Sequence, residues 1–168
     1  MRDIDEARRA ARKSAADVER AREKAWRVFF EASGRLQGML ESRLKRSWGL
    51  SLVDYNVLLA LWETPDHRLR MSDLASRVVY SPSRLTYIAE HLERDGWLRR
   101  VVSPNDRRSL IACLTSQGIA TIESAAEAHR QIIREYLLKG VDDEEIGEIV
   151  RIFSAMGDRL RSEDTKGR

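Results

Sequence analysis

Apolar positions along this chain fall into blocks, and the spacing within each block predicts an element. Ile4, Ala7, Ala11, Ala15, Val18, Ala21 and Ala25 recur every three or four residues, with almost nothing but charge between them. Alanine is the strongest helix former. That stretch therefore reads as a helix with a thin apolar seam, or as a frayed arm that orders only against a partner. From Trp26 the seam thickens through Phe29, Phe30, Leu36, Met39, Leu40 and Leu44, and Gly49 after Trp48 stands where a helix ends. Ser51-Leu52-Val53-Asp54 then resembles a capping box, with Asp in place of the usual Glu or Gln. It opens a short helix through Tyr55, Leu58 and Trp62 that stops at Pro65. Leu69 and Arg70 form a brief strand, and Met71–Val79 carries Leu74, Ala75 and Val78 as a third helix.

A fourth helix starts at Ser81, a capping serine followed by proline at the first helical position. Leu85, Ile88 and Leu92 make its buried stripe, while Arg84, Tyr87, His91 and Arg94 recur on another face. Gly96 stops it. Trp97–Val102 and Ser109–Leu114 then read as two strands, joined by a loop over Ser103–Arg108 that contains Pro, Asn and Asp. Thr115 caps a fifth helix with Ile119, Ile122, Ala126, Ile133 and Leu137 on one side, ended by Gly140. Asp142 to Glu145 place negative charge on the start of a sixth, whose stripe is Ile146, Ile149, Phe153, Met156 and Leu160. The polar tail from Arg161 is expected to be loose.

Two short helices meeting through a few residues, the second polar on its outer face, form the helix-turn-helix pattern, and the hairpin adds a wing. The fold class is mainly α with a small β-hairpin wing. Residues 51–114 are the winged helix-turn-helix lobe, 26–50 and 115–162 are dimerisation helices, and 1–25 are an N-terminal extension. Long terminal helices with apolar stripes cannot be satisfied by so small a core, which predicts a two-fold homodimer.

Composition narrows the setting. At 168 residues, 42% hydrophobic and 34% charged, the chain can bury a moderate core. No apolar run approaches the roughly 20 residues of a membrane span. The start is charged from Arg2 with no apolar h-region, and the single cysteine, Cys113, permits no internal disulfide. A cytoplasmic protein without membrane partners is the expectation. Net charge is only +3, but Arg68 to Arg108 holds nine arginines against five acids. Arginine suits bidentate contact with phosphate and guanine, and a solvated arginine-rich surface is the plainer alternative.

Other chemistry is absent. There is no nucleophile elbow, phosphate-binding glycine loop or paired-histidine metal motif, which argues against an enzyme. His67, His91 and His129 lie on different elements, so neither a metal nor a cofactor is expected. Cys113, among Ile111, Ala112 and Leu114, reads as a buried structural thiol, since an apolar strand does not lower a thiol pKa.

Several fragments recur in an order that resembles the MarR (multiple antibiotic resistance regulator) family of transcription factors, from about Trp26 to Leu160. They are Gly49-Leu50-Ser51, Tyr55-Asn56-Val57-Leu58, Leu69-Arg70-Met71-Ser72-Asp73-Leu74-Ala75, Ser81-Pro82-Ser83-Arg84-Leu85-Thr86, Leu92-Glu93-Arg94-Asp95-Gly96, Asp106-Arg107-Arg108 and Leu114-Thr115-Ser116-Gln117-Gly118. The resemblance implies a homodimer on a pseudo-palindromic operator in double-stranded DNA, most often a repressor, released by a small effector. It assigns major-groove contacts to Ser81, Ser83, Arg84, Thr86 and Tyr87, with His91 further along that helix. It sends Arg107 or Arg108 of the wing into the minor groove, with Asp106 bracing the tip. Two positions depart from the family pattern: Tyr87 and His91 stand where arginine is common, so base preference is expected to differ. The family's effector pocket lies between the first, second and fifth helices. That implies Trp26, Phe29, Phe30, Ser33, Gln37, Tyr55, Trp62 and His129 as lining, suited to an aromatic effector, although core packing is the default role of such aromatics. The competing reading is a winged-helix protein-interaction module without specific DNA binding.

Overall fold

A computed structural model describes the backbone of residues 2–166 and the side chains of residues 16–163. The chain divides into two compact units, residues 1–126 and 127–168.

In the first unit, α1 (Arg2–Trp48) is continuous across the predicted junction at Trp26. The apolar seam expected at Ile4, Ala7, Ala11 and Ala15 lies outside the described side chains. Among its described side chains, only those of the last turns of α1 enter the core, through Leu40 and Leu44, and Gly49 at φ 74° ends it as expected. The centre of the unit is α2 (Leu52–Trp62), buried on most of its circumference through Asp54, Tyr55, Val57, Leu58, Ala60 and Leu61. A helix that is apolar nearly all round must be enclosed by others. Here α3 (Met71–Val78) contributes Leu74 to that core, α4 (Pro82–Arg94) contributes Leu85 and Leu92, and α5 (Ser116–Ile133) contributes Ile122.

Three antiparallel strands, β1 (Arg68–Arg70), β2 (Leu98–Ser103) and β3 (Asp106–Leu114), form a sheet in the order β1-β3-β2. The wing is tighter than the sequence suggested. Ser103 pairs with Asp106 across a two-residue turn, Pro104-Asn105, and the ladder is irregular at Val102/Ser103. Strand β3 therefore starts three residues earlier than expected, which moves Arg107 and Arg108 from a loop onto the strand. Ladder hydrogen bonds outweigh the turn preferences of Asn and Asp here.

Helix α5 crosses from the first unit into the second. It runs on directly into a π-helical turn, Arg134–Leu138, before Gly140 at φ 81°, a change of pitch that hydrophobic spacing does not reveal. Asp142 and Glu145 then cap α6 (Asp143–Lys166) reciprocally, at 2.9 and 3.0 Å. The helix runs on past Arg161, where a loose tail was expected, and Arg161 reaches back to Asp158 at 2.7 Å. Such i,i+3 pairs support an exposed helix end. Among the described residues no helix is long and apolar enough to cross a membrane.

The hairpin and α5 meet at one tight contact. Thr115 Oγ1 donates to the Gly96 carbonyl at 2.6 Å and accepts from Gly118 N at 3.0 Å. A Cβ on Gly118 would lie 1.9 Å from the Trp97 carbonyl oxygen, so backbone would have to move. Gly118→Ala should destabilise the fold by about 1–3 kcal/mol despite alanine's helix propensity. Denaturant unfolding measures this, and a variant as stable as the parent would contradict the close approach.

Candidate nucleic-acid interface

Helix α4 is fastened at its start by local bonds. Ser81 Oγ accepts Arg84 N at 3.3 Å and lies 3.3 Å from Ser83 Oγ, and Thr86 Oγ1 donates to the Pro82 carbonyl at 2.9 Å. Its inner face buries Leu85, Ile88, Ala89 and Leu92. That leaves Ser81, Ser83, Arg84, Thr86 and Tyr87 exposed together, with Tyr87 71% exposed. The turn into α4 is unusual. Val79 sits at φ 57°, ψ 42° and is 78% exposed, a conformation that is an outlier for a β-branched residue. Beyond it, the Arg84 guanidinium carbon lies 4.5 Å from the centroid of the Tyr80 ring.

His91 does not join this outward group. Its Nε2 lies 2.6 Å from Asp54 Oδ1, on a carboxylate only 6% exposed. The other oxygen, Oδ2, accepts Ser51 N at 2.9 Å and Ser51 Oγ at 2.6 Å. One residue thus caps α2 and ties α4 to it. The His91 ring stands edge-on to Tyr87, centroids 6.2 Å apart, so it braces the exposed face from behind. A buried carboxylate oxygen needs a donor, and that need draws the imidazole inward.

The wing sits on the same helix through Glu93. Its carboxylate accepts Arg100 N at 2.7 Å, Arg100 Nε at 3.0 Å and Arg100 Nη2 at 2.8 Å. At the tip, Asp106 Oδ1 accepts Arg108 N at 3.0 Å, which fits a bracing role. Arg107 and Arg108 are exposed, and among the described residues neither is paired with a carboxylate. Among the described residues, too, no group of three or more His, Cys, Asp or Glu side chains could hold a metal ion.

The MarR family model matches residues 50–110. AbsC, a MarR family transcriptional regulator from Streptomyces coelicolor, is 31% identical over 83% of this chain and 94% of its own, with a TM-score of 0.79. The chain belongs to the MarR family. Sco3205, a second MarR family regulator from that organism, solved in complex with DNA, is also 31% identical, over 82% of this chain and 90% of its own, with a TM-score of 0.79. The HTH-type transcriptional repressor YetL of Bacillus subtilis is 27% identical over 79% of this chain and 78% of its own. As a MarR family member the chain is a transcriptional regulator and not an enzyme.

The residues suggested for a MarR effector pocket are distributed unevenly. Trp26, Phe29 and Phe30 cluster on α1, with ring centroids 5.9 and 5.6 Å from Trp26. Trp26 and Phe30 are more than half exposed, Phe29 and Ser33 are partly buried, and Gln37 is exposed. Tyr55 is instead buried in the core, and Trp62 packs against it. His129 belongs to the second unit, in a surface depression with Arg130, Ile133, Arg134 and Leu138. Burial, and then the charge of Arg130, push its imidazole below the ordinary value. Cys113 is a buried free thiol on β3.

Tyr80, Glu93 and Arg100 are the participants that sequence reasoning did not single out, and Asp54 entered it only as part of a cap. The Arg100 backbone N–H, then desolvation in the opposite sense, then the Arg100 side chain act on Glu93, and its carboxyl lies below the ordinary value of 4.5. A depressed carboxyl stabilises the fold above its ordinary pKa, and the contribution is lost as pH falls through the folded value. Solvent reaches this pair, so Glu93→Gln should cost only about 1 kcal/mol at neutral pH. The difference from the parent should shrink below pH 4.5. Unfolding followed across that range measures it, and a pH-independent difference would contradict the clamp.

Proposed function

We propose that this MarR family regulator is a homodimeric repressor that holds an operator in double-stranded DNA and releases it when a small aromatic effector binds. The observation that carries the DNA-binding reading is the shared exposure of Ser81, Ser83, Arg84, Thr86 and Tyr87 on α4, together with exposed wing arginines that have no carboxylate partner among the described residues. Helix α4 enters the major groove. Arg107 or Arg108 reaches the minor groove, where arginine reads width and potential rather than base edges. Sco3205, which shares the fold and nearly a third of its sequence with this chain, was solved with DNA, and YetL is named a repressor. Both support the reading.

The second unit supports a partner copy. Among its described residues none is buried, and Tyr136, Val150, Ile152, Phe153 and Leu160 are all at least 41% exposed. A two-helix segment of this size cannot bury enough surface alone, and a second chain covers that apolar face. Two recognition helices about 34 Å apart then enter successive major grooves. An effector favouring another separation by ~3 kcal/mol weakens operator binding on the order of a hundredfold. The exposed Trp26 and Phe30, with the partly buried Phe29 between them on α1, offer rings that an aromatic effector would stack on. The site of action is the cytoplasm.

A gel shift on the gene's own upstream region, compared between the parent and Arg107→Ala/Arg108→Ala, tests the interface. The double variant should bind more weakly, and its log–log salt dependence should flatten by about one unit for each lost phosphate contact. Equal shifts by variant and parent would remove the wing from the interface.

A further inference from the structure

Arginines in the winged lobe are held in two ways. Arg77 donates to Glu63 at 2.7 Å, and Arg100 donates to Glu93. Each of these must break an ion pair before it can engage an anion or a base. Arg84 is held differently. Among the described residues it has no carboxylate partner, and its guanidinium lies over the Tyr80 ring at 4.5 Å. A cation stacked on an aromatic face keeps its in-plane N–H groups free, since the ring takes only the face. The stack fixes a side chain that would otherwise lose much rotamer freedom on binding.

The turn makes this contact possible. Val79 in the left-handed region ends α3, and the Tyr80 N–H donates to the Ala75 carbonyl at 3.0 Å. Tyr80 packs against the core of the first unit, which anchors the ring. It stands one residue before the cap Ser81, and Arg84 is in the first turn of α4. That position commonly holds an apolar residue stapled to the helix's fourth residue. Here its ring supports a cation on the exposed face.

We propose that Tyr80 is a positioning residue for DNA recognition: its ring holds Arg84 so that the free N–H edge reads a guanine in the major groove. Guanine presents O6 and N7 as adjacent acceptors that match two arginine N–H groups. The inference rests on the DNA-binding reading above and names the residue behind the helix that sharpens it.

The test uses a duplex that the parent protein selects from a random pool, substituted one base pair at a time, with affinities and melting temperatures measured for the parent and each variant. In the parent, replacing one G·C pair in each half-site should cost on the order of tenfold. Arg84→Ala should lose that preference at that pair alone. Tyr80→Leu, which keeps an apolar contact with the core, should weaken binding to the selected duplex about threefold to fivefold. It should add little on an Arg84→Ala background. Tyr80→Phe keeps the ring and should restore parental discrimination. Parental discrimination in Tyr80→Leu, or additive effects in the double variant, would overturn the assignment. A loss in Arg84→Ala spread evenly over all duplexes, with a flatter salt dependence, would make Arg84 a phosphate contact and overturn the guanine reading. A parent that enriches no duplex would overturn the DNA-binding reading itself, whereas the other failures leave it standing.

Discussion

A carboxylate removed from water needs donors on both oxygens, because nothing in the core replaces the lost solvent. Asp54 is 6% exposed and meets that requirement from two sides. One oxygen takes the backbone N–H and hydroxyl of Ser51, and so starts α2 at a defined residue. The other takes His91, from the last turn of α4. Leu52 N, at the same corner, donates to Glu41 of α1 at 2.5 Å. Three helices are thus registered against one another by polar bonds at the edge of an otherwise apolar core. Apolar packing tolerates sliding more readily than such directional bonds do, so the angle at which α4 presents its exposed face depends on this corner.

Charge is divided in the same spirit. Acids settle the arginines that build the lobe: Glu93 closes on Arg100 to hold the wing to α4, and Glu63 holds Arg77. The arginines at the outer surface, Arg84, Arg107 and Arg108, have no carboxylate partner among the described residues. A structural ion pair and a recognition cation make opposite demands, the first for a local anion and the second for its absence. The segment meets both because its acids lie beside some arginines and away from others. The net charge of the chain, only +3, conceals this division.

Much of the fold was legible because it is written in local signals. The capping box at Ser51, the serine–proline start of α4, and Gly49, Gly96 and Gly140 at positive φ each mark an element boundary within a few residues. The apolar spacing of Leu85, Ile88 and Leu92 gave the buried face of α4 and, by subtraction, its exposed one. Features that depend on distant partners were not legible. Asp54 and His91 are 37 residues apart, so nothing near either shows that the histidine turns inward and away from the exposed group. The π-helical turn at Arg134–Leu138 and the two-residue wing turn arise from backbone hydrogen bonding that hydrophobic periodicity does not encode. The family resemblance implied Tyr55 as a pocket aromatic, yet it is core, because α2 is enclosed on most sides.

The dependence of α4 on the Asp54–His91 bond can be measured by a double-mutant cycle in denaturant unfolding, with Asp54→Ala, His91→Ala and the pair. If this contact registers the recognition helix, the two substitutions should be coupled by about 1.5–3 kcal/mol, the range for a hydrogen bond to a charged group. Effects that add to within about 0.5 kcal/mol would mean that the two side chains act independently. Packing alone would then set the position of α4.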